Sequence, residues 1–230
     1  MTSRTSPPGP TESERLLSTA LVAGLVAAAA ALILFSWLGR EILNGITPAL
    51  DDRIRLTIHG FASGRLTGLM RALSVYGGPA GLSVIGVLLA VIFLVERWHR
   101  GALLLVVTMG GAGLLNVLLK LLFARPRPAA YFGYPLPSSA SFPSGHAFFA
   151  ASFLGGLAVL VSERTRSRGV RWGTWIICLV LILLIGLSRV YLGVHYPSDV
   201  LAGYAAATVW VAAVAVGDRL VSHRRRRRTV

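Results

Sequence analysis

The chain predicts an all-α bundle of six membrane-spanning helices, on three observations. Its composition is 54% hydrophobic and only 14% charged, against about 25% charged in ordinary soluble domains. Its mean hydropathy is +0.68. Its few charges stand between long uncharged runs, and a spanning helix needs about 20 such residues. A soluble globule of 230 residues has no way to hide that much apolar surface. Disorder is excluded for the same reason, and a single cysteine, Cys178, excludes a disulfide scaffold. Backbone groups in hydrocarbon must bond within their own segment, so the runs are helices, and no short alternating strands suggest a barrel. The length suits one compact bundle over 16–220. A Ser/Thr/Pro-rich tail, read as disordered, precedes it at 1–15, and a basic tail follows at 221–230.

The first run, 16–39, is long for a secretory signal, and Glu12 and Glu14 weaken the basic flank such a signal needs. It reads as an uncleaved helix. The segment 40–76 carries Asp51, Asp52, Arg53, Arg55 and His59 and is too long for a tight turn. A short amphipathic helix on the membrane surface is expected there. The second run is 72–95, its helix starting near Pro79, and the third is 101–119. In 128–162 the only His or charged residue is His146, and that helix starts near Pro143. The last two runs are 172–188 and 200–217. Short basic segments at 96–100 and 163–171 and the C-terminal tail then fall on one side with the N-terminus. The positive-inside rule places them in the cytoplasm. The net charge of +14 and the five arginines at 224–228 read as topology and contact with anionic lipids, with no nucleic-acid partner.

Some charges are left over. Lys120, the only lysine, ends the third helix, and Arg125 and Arg127 follow it. Pro143-Ser144-Gly145-His146 opens the fourth helix, Ser188-Arg189 ends the fifth, and His195 to Asp199 open the sixth. Ionisable groups at a membrane edge are costly and usually functional. Fixed cations suggest an anion, with arginine forks suited to phosphate oxygens and lysine as a point charge. With Pro143 at the first helical position, Ser144 and Gly145 offer free amides and a close approach, a natural phosphate cradle. Asp199 lies one turn from His195 and can fix its tautomer, leaving the other ring nitrogen as a nucleophile. His146 is then the general acid for the departing oxygen. Two histidines with opposite proton duties in one anion site describe phosphoryl transfer through a phosphohistidine.

These residues form three ordered motifs: Lys120, six residues, Arg127-Pro128; Pro143-Ser144-Gly145-His146; and Ser188-Arg189, five residues, His195, three residues, Asp199. They resemble the type 2 phosphatidic acid phosphatase superfamily, membrane lipid phosphatases related to vanadate-dependent haloperoxidases, and all eleven fixed positions are present. One motif alone is weak; three in order at helix ends are strong. The resemblance implies His195 as nucleophile, Asp199 as its orienting partner and His146 as leaving-group acid. It implies Lys120, Arg127, Arg189, Ser144 and the Gly145 amide as phosphate ligands, with neither metal nor cofactor. Implied substrates are phosphatidic acid, phosphatidylglycerol phosphate or a polyprenyl diphosphate; the loop charges put the site on the extracytoplasmic side of the cell membrane, and the high Arg, Ala and Gly content with one lysine points to a bacterial cell. The alternatives are a phosphotransferase using a lipid or sugar hydroxyl and, from another class, a non-catalytic lipid-phosphate binder or flippase.

Blander readings stand beside these. Lys120 alone reads as a snorkelling side chain, and Arg125, outside the motifs, as an equal candidate for headgroup contact. His59 reads as an interfacial residue. Asn116, one turn before Lys120, reads as an interhelical hydrogen bonder rather than a lining of the substrate path. The glycines at 110, 111 and 113 read as close helix packing.

Overall fold

The computed structural model describes residues 12–45 and 49–228. They form eight helices: α1 (Glu12–Leu43), α2 (Ala49–Gly60), α3 (Gly64–Tyr76), α4 (Pro79–Val95), α5 (His99–Phe123), α6 (Gly145–Arg164), α7 (Arg168–Tyr191) and α8 (Pro197–Arg228). Five of them, α1, α5, α6, α7 and α8, are long and apolar enough to cross a membrane. α3 and α4 pass the same test together, bent by 51°. The protein is therefore a multi-pass membrane protein with five spans, or six with the bent pair counted as one. Of the tail expected at 1–15, residues 1–11 lie outside the described residues, and Glu12 already belongs to α1. The basic segment 221–230 continues α8 as far as Arg228, and its last two residues lie outside the description.

The one surface helix expected in 40–76 is two helices. Ser63 breaks the chain between them, its extended backbone letting the hydroxyl accept the Leu66 N–H at 3.4 Å, which supplies an acceptor to a first-turn amide. Pro79 stands in the first turn of α4, where its missing N–H costs nothing.

α6 sits in the middle, packed by α4, α5, α7 and α8. Its Phe148, Phe149 and Phe153 meet Leu105 and Met109 of α5, Ile185 of α7 and Ala207 of α8. The outer helices turn Val84, Val87, Leu88, Val91 and Val95 outwards, a surface that hydrocarbon solvates and water would not. Of the three clustered glycines, Gly111 serves close packing, since a Cβ there would run into the Trp210 ring; Gly110 faces open space. α1 lies against α8, with Leu38 beside Ala202 and Phe142. One end of the bundle thus gathers the C-termini of α1, α5 and α7, the N-termini of α6 and α8, and α2 and α3. At the opposite end Arg100 of α5 reaches Glu163 of α6 at 2.9 Å and Asp218 of α8 at 3.0 Å.

Candidate active site

The chain leaves α7 through Gly193, whose φ of +76° is open only to glycine at low cost. A Cβ there would stand 2.7 Å from the Tyr131 ring. This turn delivers His195 just before α8, with Asp199 in the first turn of that helix. Both are buried, at 1% and 0% exposure. His195 Nδ1 faces Asp199 Oδ2 at 3.2 Å, and Arg127 Nη1 lies 3.0 Å from His195 Nε2. A guanidinium only donates. Nε2 must therefore present its lone pair, and the ring proton sits on Nδ1 towards the carboxylate. Burial pushes the imidazolium down to about 4, against the pull of Asp199, so the ring is neutral at pH 7. Asp199 Oδ2 also accepts the Tyr196 N–H at 2.9 Å and the Ser141 hydroxyl.

Of the three motif cations, Arg127 touches this histidine, Arg189 stands near it, and Lys120 stands near Arg127. Lys120 gives its ammonium to the Ala140 carbonyl. Arg127 donates to the Ser139 carbonyl at 2.8 Å, the Ala140 carbonyl at 3.1 Å and the Val194 carbonyl at 2.9 Å. Arg189, 2% exposed, donates to the Ser74 hydroxyl and, at 3.5 Å, to Tyr134 Oη; its Nε is buried without a partner. Among the described residues none of the three is ion-paired to a carboxylate. Burial and the neighbouring Arg189 push the Arg127 guanidinium down to about 10. Such a cradle is short of negative charge.

The α6 terminus differs from the expectation by two positions. Pro143 precedes the helix; Ser144 is the N-cap and Gly145 the first helical residue. The Ser144 hydroxyl accepts the Ala147 N–H at 3.5 Å, and the Ser144 N–H donates to the Asp199 carbonyl at 2.9 Å. The Ser144 N–H thus joins α6 to α8 while its hydroxyl and carbonyl close the first turn of α6, and the Gly145 and His146 amides remain as the free donors there. His146 Nε2 donates to the Ser74 carbonyl at 3.1 Å. Gly78 makes room for it, because a Cβ there would lie 2.8 Å from that nitrogen. Ser74 therefore holds His146 by its carbonyl and Arg189 by its hydroxyl. Asn116 rests against Gly145, and its Nδ2 is buried without a partner, so the interhelical bond expected of it is not made.

Sequence reasoning missed several members. Arg125 is no headgroup contact: at 5% exposure it donates to Asp199 Oδ1 at 2.6 Å, Ser198 Oγ at 2.8 Å and Asp51 Oδ2 at 3.1 Å. Ser74, Tyr134, Ser141 and Asp51 come from segments without a motif. The signal available for Asp51 was a carboxylate at a membrane edge, which needs a partner. His59, expected at the interface, stacks on Tyr131 at 3.9 Å. Beside Lys120 and Arg127 opens a groove of about 640 Å³, whose walls include Val117, Leu121, Leu136 and Pro137.

A buried histidine among cations, beside a largely apolar groove in a membrane bundle, defines a class: membrane enzymes acting on lipid phosphates. Residues 101–220 match the PAP2 superfamily, so the chain belongs to that superfamily and is a lipid phosphate phosphatase. It is 31% identical over 156 residues to an undecaprenyl-diphosphatase of Sulfolobus acidocaldarius, covering 66% of this chain and 69% of that protein. It is 38% identical over 124 residues to phosphatidylglycerophosphatase B of Bacillus subtilis, covering 54% of this chain and 60% of that protein. The crystal structure of a transmembrane PAP2 type phosphatidylglycerolphosphate phosphatase from Bacillus subtilis superposes with a TM-score of 0.76 at 27% identity, over 84% of this chain and 96% of that one.

Proposed function

We propose that the enzyme hydrolyses the phosphate monoester or terminal diphosphate of a membrane lipid through a phosphohistidine on His195, without a metal. His195 Nε2 attacks phosphorus in line. Asp199 holds the Nδ1 proton and stabilises the positive charge that grows on the ring. His146 protonates the leaving oxygen, then serves as base for the water that cleaves the N–P bond. Lys120, Arg127 and Arg189 take the charge of the phosphoryl oxygens, a part a metal plays elsewhere. The Gly145 amide adds a donor at the helix N-terminus, while Ser144 shapes that terminus. The lipid chain lies in the groove beside Lys120. The family relatives that act on undecaprenyl diphosphate and phosphatidylglycerophosphate support such substrates here. The observation that carries the reading is the lone pair of the buried His195 Nε2, which faces Arg127, beside two further motif cations, Lys120 and Arg189, that among the described residues pair with no carboxylate.

We take 16–220 as the membrane domain, with the 1–15 and 221–230 tails and the basic loops in the cytoplasm and the site on the outer face, although α1 and α8 run beyond those bounds. The arginines of the 96–100 and 163–171 loops and of the C-terminal tail support that orientation.

The test is phosphate release by the detergent-purified full chain from phosphatidic acid, phosphatidylglycerol phosphate and a polyprenyl diphosphate, with chelator present. Release by the wild type and background release by His195→Ala is the expected result; full activity in that variant would sink the mechanism. In right-side-out vesicles, substrate presented outside is expected to be hydrolysed before lysis. Hydrolysis only after lysis inverts the orientation.

A further inference from the structure

Resting on His195 as nucleophile, we propose that Arg125 and Asp51 are positioning residues for the reaction, extending the His195–Asp199 pair into a buried four-residue chain that sets how strongly Asp199 supports the imidazole. Arg125 holds Asp199 Oδ1 at 2.6 Å, while His195 occupies the other oxygen at 3.2 Å. On the far side of the same guanidinium stands Asp51 Oδ2 at 3.1 Å. Asp51 is itself 3% exposed. It is fastened to the first turn of α8, accepting the Ser198 N–H at 2.9 Å and the Ser198 hydroxyl at 2.5 Å. Arg125 also lies 4.0 Å over the Tyr196 ring, which limits where its fork can turn.

The charges explain the arrangement. Arg125 alone would orient Asp199 but drain the negative field that Asp199 exerts on His195. Asp51 returns that charge. The trio Asp51–Arg125–Asp199 carries a net −1, and a positive imidazole brings the whole group to neutrality. Burying three ions merely to dock α2 on α8 is a poor way to gain stability, since apolar contacts do as well or better. Asp51 also lies in α2, outside the stretch 101–220 that matches the family.

Other groups face His195 as well. Arg127 does so from the loop before α6, Arg189 from α7 and His146 from α6. Lys120 of α5 and Tyr134 of the same loop face this cluster. The test therefore compares variants in which these stay constant. Asp51→Asn, Arg125→Met and the charge-balanced double variant are measured as full chain in detergent, beside wild type and His195→Ala. The readouts are kcat, KM, Tm and the pH profile of kcat/KM.

In the wild type, activity falls as pH drops through the His195 value of about 4, because a protonated ring has no lone pair to attack with. Both single variants are expected to lose roughly ten- to a hundredfold in kcat, as partners behind a first contact do, with KM nearly unchanged. The acid limb separates positioning from bracing. Asp51→Asn leaves Arg125 uncompensated and moves the limb to lower pH; Arg125→Met frees the field of Asp199 and moves it to higher pH. The double variant, again net −1, returns it towards the wild-type position. Wild-type kcat in folded Asp51→Asn overturns the proposal, and so does a loss of kcat without opposed shifts. Should a single variant not fold, the double decides: wild-type kcat overturns, and a loss of tenfold or more at an unchanged limb supports. Full activity in His195→Ala removes the nucleophile itself, and the proposal falls with it.

Discussion

Two arginines of this protein each bridge two carboxylates from different helices, at opposite ends of the bundle. Arg125 joins Asp51 of α2 to Asp199 of α8, with its side chain 5% exposed. Arg100 joins Glu163 of α6 to Asp218 of α8, with its side chain 42% exposed. The chemistry is the same and the surroundings are not. At the Arg100 end, where Arg100 and Glu163 are exposed and Asp218 is half-buried, water screens the attraction and reaches a partner that is lost, so each ion pair contributes ~0.2–1 kcal/mol. In the buried one nothing replaces a lost partner, and removing one costs about 3–5 kcal/mol. Charges that cost so much to bury are kept where their field acts on something, and at the Arg125 end that something is His195.

After loss of the nucleophile itself, the largest expected effect comes from Asp199→Asn. Every neighbour of this carboxylate donates to it: Arg125 on Oδ1, and Ser141, Tyr196 and His195 on Oδ2. An amide nitrogen facing Oδ2's partners turns the ring to the wrong tautomer; one facing Arg125 meets another donor. A kcat loss of about 10³–10⁴ is expected, on the scale of a triad aspartate changed to asparagine, with the protein still monodisperse in detergent. A loss of less than tenfold would mean that Asp199 is a brace and erase the contrast between the two ends.

Arg189→Lys comes next. The guanidinium reaches both the Ser74 hydroxyl and Tyr134 Oη, and a single ammonium cannot span two such partners and a phosphoryl oxygen. One lost charge-assisted bond, about 1.5–3 kcal/mol, predicts a roughly 10–100-fold fall in kcat/KM. Unchanged kinetics in the lysine variant would show that Arg189 supplies charge without geometry.

How far the sequence carries this contrast differs between the two halves of the site. Lys120, Arg127, His146, Arg189, His195 and Asp199 were legible because each sits at or within a few residues of a helix end, where an apolar run stops at a charge. The helices were legible from those same runs, and the fold class follows from them. Asp51 and Arg125 were not. Their pairing joins positions 74 apart, and no local period or spacing announces a partner at that distance. The mean hydropathy that marks spans also says little about α2 and α3, whose residues are mixed. The misplacement of Pro143 has a local cause. Proline is common in the first turn, but serine is a strong N-cap, and the cap position won.

The smallest expected effect closes the comparison. Arg100→Gln removes both ion pairs of that end and keeps a polar side chain at the bundle end far from His195. The two pairs together sum to about 1 kcal/mol, which in a chain of this size lowers Tm by roughly 2–4 °C. Raising the salt concentration in the wild type should approach the same Tm, because exposed pairs are screened over about 10 Å at 0.1 M. kcat should stay at its wild-type value, since no group at that end touches the cradle. A tenfold loss of kcat in this variant, with Tm little changed, would mean that the two ends are coupled through α5 and α8, and that exposure does not decide which ion pairs the reaction uses.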